Sequence, residues 1–243
     1  MSLLCEIRSE LYKMRHTAFL PIHLVIPFVG ALLFIFYFIN YEGVTEHERL
    51  RLLLELTTMV FPLLISGVIG INISLEEKAC YFQRLLIAPN RKICILAKLT
   101  VLYCFGIMAL TILFGVFALG ISVLGSLETL SWGIMLQAVL GIAFGNFVIY
   151  TLHLFLNLKF GLAMSLFWGV FESLQVVLYS NIELQGVMRY IPFSWAINSI
   201  QDALNGNLLE NITEWILIFI LTVCVSLIII KWFSHWEGRK NYE

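Results

Sequence analysis

Residues Ser74–Lys98 read SLEEKACYFQRLLIAPNRKICILAK, the point at which an otherwise oily chain turns polar and basic. This stretch holds five of the fifteen Lys and Arg residues: Lys78, Arg84, Arg91, Lys92 and Lys98. It separates the second from the third of six apolar runs, near Ala18–Ile39, Thr57–Ile73, Ile93–Leu124, Trp132–Leu156, Phe160–Tyr179 and Trp215–Trp232. A helix needs roughly 20 residues to cross the hydrocarbon core, so each run reads as one span. The second is short unless it begins near Leu53, and the third is long enough to tilt or project. The fold class expected is therefore an all-α membrane protein with six transmembrane helices.

The composition agrees. Of 243 residues, 60% are hydrophobic and 13% charged, with mean hydropathy +0.91. A soluble domain carries about twice that charge fraction. The net charge of −1 gives no reason to expect a nucleic-acid partner. Its distribution says more: with the N-terminus inside, twelve of the fifteen basic residues fall on inner segments, leaving Arg49, Arg51 and Arg189 outside. The positive-inside rule then predicts that both termini are cytoplasmic. Acids lean outward, from Glu42, Glu46, Glu48 and Glu55 to Asp202, Glu210 and Glu214. The first run is span-length and has no small-residue cleavage site behind it, so no cleavable signal peptide is expected. The cysteines Cys5, Cys80, Cys94, Cys104 and Cys224 form no C-x-x-C pair and read as reduced thiols.

Residues 1–16 are expected to form an interfacial helix. Leu4, Ile7, Leu11 and Met14 make one face over 3–15, with Glu6, Arg8, Glu10 and Lys13 elsewhere. Within the polar stretch, Ser74-x-x-Glu77 has the form of a capping box. Ala79, Phe82, Leu85 and Leu86 then repeat at helical spacing, and Pro89-Asn90 ends the segment. A short capped helix with an apolar ridge suits a groove on a cytoplasmic partner; the alternative is a basic loop lying on lipid headgroups. Residues 180–213 are too long for a turn and too apolar for a free loop. Pro192, then Ser194 as an N-cap, then Ala196, Ile197, Ile200, Ala203 and Leu204, then Asn205-Gly206 as a stop, predict a helix of about 11 residues. That is roughly 16 Å, too short to cross, and points to a re-entrant hairpin on the outer side.

Two polar stripes lie inside spans. Ser165, Glu172, Gln175 and Tyr179 share a face of the fifth; Asn146, Tyr150, His153 and Asn157 share one of the fourth. Either these faces line a path, with Glu172, Gln175, Asn146 and His153 on it, or they hydrogen-bond between helices. Gly141-x-x-x-Gly145 permits close helix approach. No Walker-type phosphate loop is present, no catalytic residue or metal-ligand spacing emerges, and nothing marks a directly bound cofactor. Glu76-Glu77 with His153-x-x-x-Asn157 partly matches membrane CAAX-type proteases, but Tyr81 stands where Arg is needed and Ile149 where Phe is.

The arrangement resembles ABC-2-type permeases. Ser2–Phe19 (SLLCEIRSELYKMRHTAF) is similar to their interfacial helix. Gly141–Leu174 (GIAFGNFVIYTLHLFLNLKFGLAMSLFWGVFESL) and Tyr190–Ile200 (YIPFSWAINSI) resemble lantibiotic-immunity permeases of the MutE/EpiE and MutG type. The resemblance implies a single permease domain over 1–243 without a nucleotide-binding domain, in a bacterial cytoplasmic membrane. It implies two permease chains, like or unlike, seated on a cytoplasmic ATPase dimer that binds ATP and magnesium. It implies that segment 74–92 is the coupling segment, with Glu76, Glu77, Lys78, Phe82, Arg84, Leu85 and Leu86 meeting the ATPase, and that Pro192, Trp195 and Asn198 shape an outer gate. Export of an amphipathic peptide antibiotic would follow, or of another drug, a bacitracin-like peptide or a lipid-linked substrate. The CAAX-type protease is the remote alternative.

Overall fold

The computed structural model describes residues 2–15, 17–40, 45–123, 132–180, 189–206 and 212–239. Among these, regular structure is helical throughout: α1 (Leu3–Met14), α2 (Phe19–Asn40), α3 (Glu46–Cys80), α4 (Gln83–Leu86), α5 (Arg91–Val123), α6 (Trp132–Gly145), α7 (Phe147–Phe160), α8 (Leu162–Ser180), α9 (Trp195–Asn205) and α10 (Ile212–Ser234). Among the described residues six stretches are long and apolar enough to cross a membrane, α6 and α7 together making the fourth. They coincide with the six apolar runs, since hydropathy over a span length is a local property.

The second span departs from expectation. α3 is one helix of 35 residues, about 52 Å at the standard rise, well beyond the roughly 30 Å of hydrocarbon. Its capping box is at the other end, between Thr45 and Glu48. Ser74 starts no new helix; its hydroxyl donates to the Ile71 carbonyl within α3 (2.8 Å). Serine can back-bond to its own helix in this way, and Leu-Glu-Glu-Lys-Ala contains nothing to break the helix. α3 ends where Tyr81 (φ 47°) and Phe82 (φ 65°) both turn left-handed. The single turn α4 follows.

α3 is the hub of the bundle: it packs on α8, α7 and α9, with α2 and α5 beside it. α2, α8 and α10 present rows of large apolar side chains outward, as a lipid-facing helix requires. The fourth span breaks at Asn146, whose amide donates to the Ile142 carbonyl (2.8 Å). α7 runs on to Phe160, and Gly161 (φ +95°) turns the chain directly into α8.

Part of the 180–213 segment lies outside the described residues. Within 189–206, a 3-10 turn at Pro192–Ser194 leads into α9, and Gly206 (φ +76°) ends it. Ser194 does not cap the helix; its hydroxyl donates to the carbonyls of Ile191 (2.9 Å) and Arg189 (3.1 Å). α9 lies against α6, where the GxxxG pair admits it. A Cβ on Gly145 would sit 2.8 Å from the Ala196 backbone nitrogen, and one on Gly141 2.4 Å from the Ser199 hydroxyl.

Candidate functional site

One end of the bundle gathers α1, the end of α3, α4, the start of α5 and the tail after α10. α1 begins at Ser2, whose hydroxyl caps Cys5 (3.4 Å). Leu4 and Leu11 face outward, but Glu6 and Glu10 turn inward with Met14. They meet Lys98, which has 0% exposure. Its ammonium donates to Glu10 Oε2 (2.7 Å), Asn72 Oδ1 (2.8 Å) and Glu76 Oε1 (3.2 Å). Lys13 bonds to both Glu10 and Glu76. Arg84 reaches from α4 to Glu6 Oε2 (3.2 Å), Ser9 Oγ (2.8 Å) and Glu10 Oε1 (3.3 Å). Three carboxylates thus face three cations, and the cluster is neutral as a whole. Burial of a lysine is tenable only with such pairing. Burial pushes the Glu10 carboxyl up, but Lys98 and Lys13 outweigh it and hold the group at about 2. Burial, and then the Lys98 charge, push Lys13 below the ordinary lysine range against the pull of Glu10 and Glu76.

The sequence contained a clue to this cluster: Lys98 lies inside an apolar run, where a charge requires a partner, and Glu6 and Glu10 are one helical turn apart.

The same geometry corrects the docking ridge. Phe82 and Leu85 are buried in the chain itself. The Phe82 ring meets Trp236 edge-on with centroids 5.3 Å apart, and the Arg239 guanidinium lies 5.3 Å from its centre. The paired left-handed residues at 81 and 82 rotate that ridge inward. Glu76 is taken by the ion cluster, Leu86 is half-buried, and Glu77 accepts from Arg239 (2.6 Å). The residues that face outward include Lys78, Tyr81 at 74% exposure, Gln83 and Ile87 at 79%. Tyr81 and Ile87 were not among the residues expected there.

Deeper in the bundle, α7 and α8 meet through polar groups. His153 Nε2 pairs with Glu172 Oε2 (2.8 Å) and its Nδ1 with Ser165 Oγ (2.9 Å). His153, Ser165 and Glu172 all have 0% exposure. Of the two stripes the structure joins these three, as interhelical hydrogen bonds that close the α7–α8 seam. Asn146 bonds within its own span, and Gln175 stands half-buried apart. Trp195 is buried, Pro192 is half-buried, and Asn198 donates to Arg189 O (3.1 Å) and Ser194 Oγ (3.2 Å). These last residues stitch the start of α9 together.

The pieces of the protease pattern lie in separate networks: Glu76 and Glu77 with lysines and arginines, His153 with Glu172. Among the described residues no group of three His, Cys, Asp or Glu is placed to hold a metal.

Two apolar grooves open on the flanks. One of about 330 Å³ lies between α2, α3 and α5, with Pro27, Gly30, Phe34, Thr57 and Phe61 on its walls. The other, about 620 Å³, lies between α5, α6 and α10, where Thr111, Gln137 and Trp215 interrupt an apolar wall.

No curated protein and no solved structure matches the chain. A family model described as ABC-2 family transporter protein matches residues 6–175, from within α1 to within α8 and well over half of the chain. Together with six helices of membrane-crossing length, this makes the chain a member of the ABC-2 family, a multi-pass membrane component of a transporter.

Proposed function

We propose that the chain is the permease subunit of an ABC exporter that removes an amphipathic peptide antibiotic of the lantibiotic class from a bacterial cytoplasmic membrane, giving immunity or resistance. ABC-2 permeases normally work with an ATPase subunit, and in this reading ATP and magnesium stay on that separate chain. The charged end faces the cytoplasm, in keeping with twelve of fifteen basic residues falling on that side. A second permease chain, like or unlike, completes the transporter.

The observation that carries this reading is the outward patch of Lys78, Tyr81, Gln83 and Ile87 set on the neutral ion cluster. An exposed aromatic and an aliphatic side chain beside a lysine form a compact docking surface. The cluster beneath ties α1, α3, α4 and α5 into one block, so force applied at the patch reaches four elements together. The peptide class is supported by the resemblance of Gly141–Leu174 and Tyr190–Ile200 to lantibiotic-immunity permeases. The flank groove with Thr111, Gln137 and Trp215 in an apolar wall suits an amphiphile.

The test is to co-express the chain with an ABC ATPase from the same genome and any second permease, then measure ATPase co-purification and survival against a panel of lantibiotics. Protection that disappears with a hydrolysis-dead ATPase is expected. Tyr81→Ser with Ile87→Asp is expected to lower co-purification by about tenfold or more, since two anchors are lost from a small interface. Confirmed assembly without protection would shift the reading to another drug, a bacitracin-like peptide or a lipid-linked substrate. Failure of the unmutated chain to bind any such ATPase would overturn it.

A further inference from the structure

We propose that the C-terminal tail is a strap that positions the docking turn, and that Arg239 is the joint through which a movement of that turn reaches the α7–α8 seam. This rests on the docking reading of the turn given above.

After α10 the chain folds back over the charged end instead of leaving it. Trp236 stacks on Phe233 (centroids 5.6 Å apart) and meets Phe82 edge-on. Arg91, at the start of α5, donates to the Trp236 carbonyl (2.9 Å) and to the Leu86 carbonyl at the end of α4 (2.5 Å). Gly238 then takes φ +99°, a conformation that L side chains rarely adopt. This brings Arg239 back across the turn. Its guanidinium makes three contacts on three different parts of the fold. Nη1 donates to Glu77 Oε1 at the end of α3 (2.6 Å). Nη2 donates to the Asn157 carbonyl near the end of α7 (2.8 Å). Its plane covers the Phe82 ring.

Each contact has a reason to be there. The left-handed pair Tyr81–Phe82 costs about 1–2 kcal/mol per residue and persists only when its surroundings hold it. Phe82 has no side-chain bond of its own to hold it; Trp236 and Arg239 hold it from the tail. Asn157 lies one helical turn from His153, which is bonded to Glu172 on α8. A displacement of the turn therefore pulls on Arg239, and Arg239 pulls on the end of the helix that carries the buried pair. A planar guanidinium makes an ion pair, a carbonyl bond and a ring contact from separate parts of one rigid fork, where a lysine has a single nitrogen on a flexible stem.

Arg239 is a positioning residue, so the test reads motion and not only activity. Cys5, Cys94, Cys104 and Cys224 are replaced by Ser, and a spin label is placed on the exposed Cys80 beside the turn. In a second sample Cys80 is also Ser, and the label sits at Lys159→Cys, exposed at the end of α7. The permease is assembled with its ATPase, and ATP-magnesium is added to a hydrolysis-dead ATPase. Both labels are expected to respond in the otherwise native chain. In Arg239→Gln the response at 80 is expected to persist while that at 159 falls by about fivefold or more, the low end of ordinary coupling between sites. Glu77→Gln, which leaves the tail sequence intact, is expected to give a weaker form of the same pattern. An undiminished response at 159 in Arg239→Gln would overturn the strap. No response at 80 in the native chain, with the ATPase bound, would overturn the docking reading on which it rests.

Discussion

Replacing Lys98 by methionine tests whether the charged end is held by its ions or merely contains them. Lys98 is fully buried and donates to Glu10, Asn72 and Glu76, and methionine fills much of its volume while removing the charge. Glu10 and Glu76 would then share Lys13 and Arg84 alone. In the native chain the fall of Glu10 from an ordinary 4.5 to about 2 corresponds to about 3 kcal/mol of stability at neutral pH. Removing one member of a buried ion network costs about 3–5 kcal/mol, because the partner's charge is stranded. We expect Lys98→Met to lose about 3 kcal/mol, read as a fall of about 6–12 °C in the thermal midpoint in mild detergent. Adding Glu10→Gln removes one stranded carboxylate and restores neutrality, so the double variant should recover at least half of the loss.

The pH dependence should separate the two chains. In the native chain the Glu10 value is depressed on folding. Its stabilisation is therefore complete above about pH 4.5 and lost as the pH falls towards about 2. In Lys98→Met the strongest opposing charge is gone, while burial and the pairs with Lys13 and Arg84 remain. The Glu10 value then rises from about 2, so the stabilisation that the native chain gains above about pH 4.5 should be smaller in the variant, and its midpoint should fall less as the pH is lowered. A single variant within about 1 °C of the native midpoint, or a double variant no better than the single, would refute the argument.

Gly145→Ala should destabilise by about 1–3 kcal/mol, because its Cβ would press on the Ala196 backbone. Gly67→Ala, with nothing within 4 Å of the added atom, should be neutral or stabilising by up to about 1 kcal/mol; equal effects on the thermal midpoint would contradict the close α6–α9 contact. His153→Ala leaves Glu172 buried without its imidazole and should lower stability by about 1–3 kcal/mol. Glu172→Gln keeps a hydrogen bond to His153 and should both fold and protect; a variant that folds normally but fails to protect would return Glu172 to the export path.

Much was legible in the chain itself. The six spans follow from runs of apolar residues, and the α9 helix from Pro192 and the Asn205–Gly206 stop, because hydropathy and turn chemistry act over a few neighbouring residues. The glycines at 141 and 145 marked a close approach, although not that α9 would be the neighbour. α3, the second span, runs on past Ser74, although Ser74-x-x-Glu77 has the letters of a capping box wherever it falls. Whether the serine caps a new helix or bonds back into an old one depends on backbone dihedrals that its letters do not encode.

The tertiary structure alone decided which way the polar stretch faces. Helical spacing marked Phe82 and Leu85 as a ridge, but two left-handed residues rotated it inward, and Trp236 and Arg239 covered it from more than 150 positions away in sequence. Glu10 and Lys98 are 88 residues apart; each alone reads as a stray charge beside a membrane. Local composition determined that this chain crosses a membrane and roughly where. Which charges neutralise one another, and which side chains are left for a partner, were decided by long-range pairing, because a buried charge is tenable only where the fold delivers its opposite.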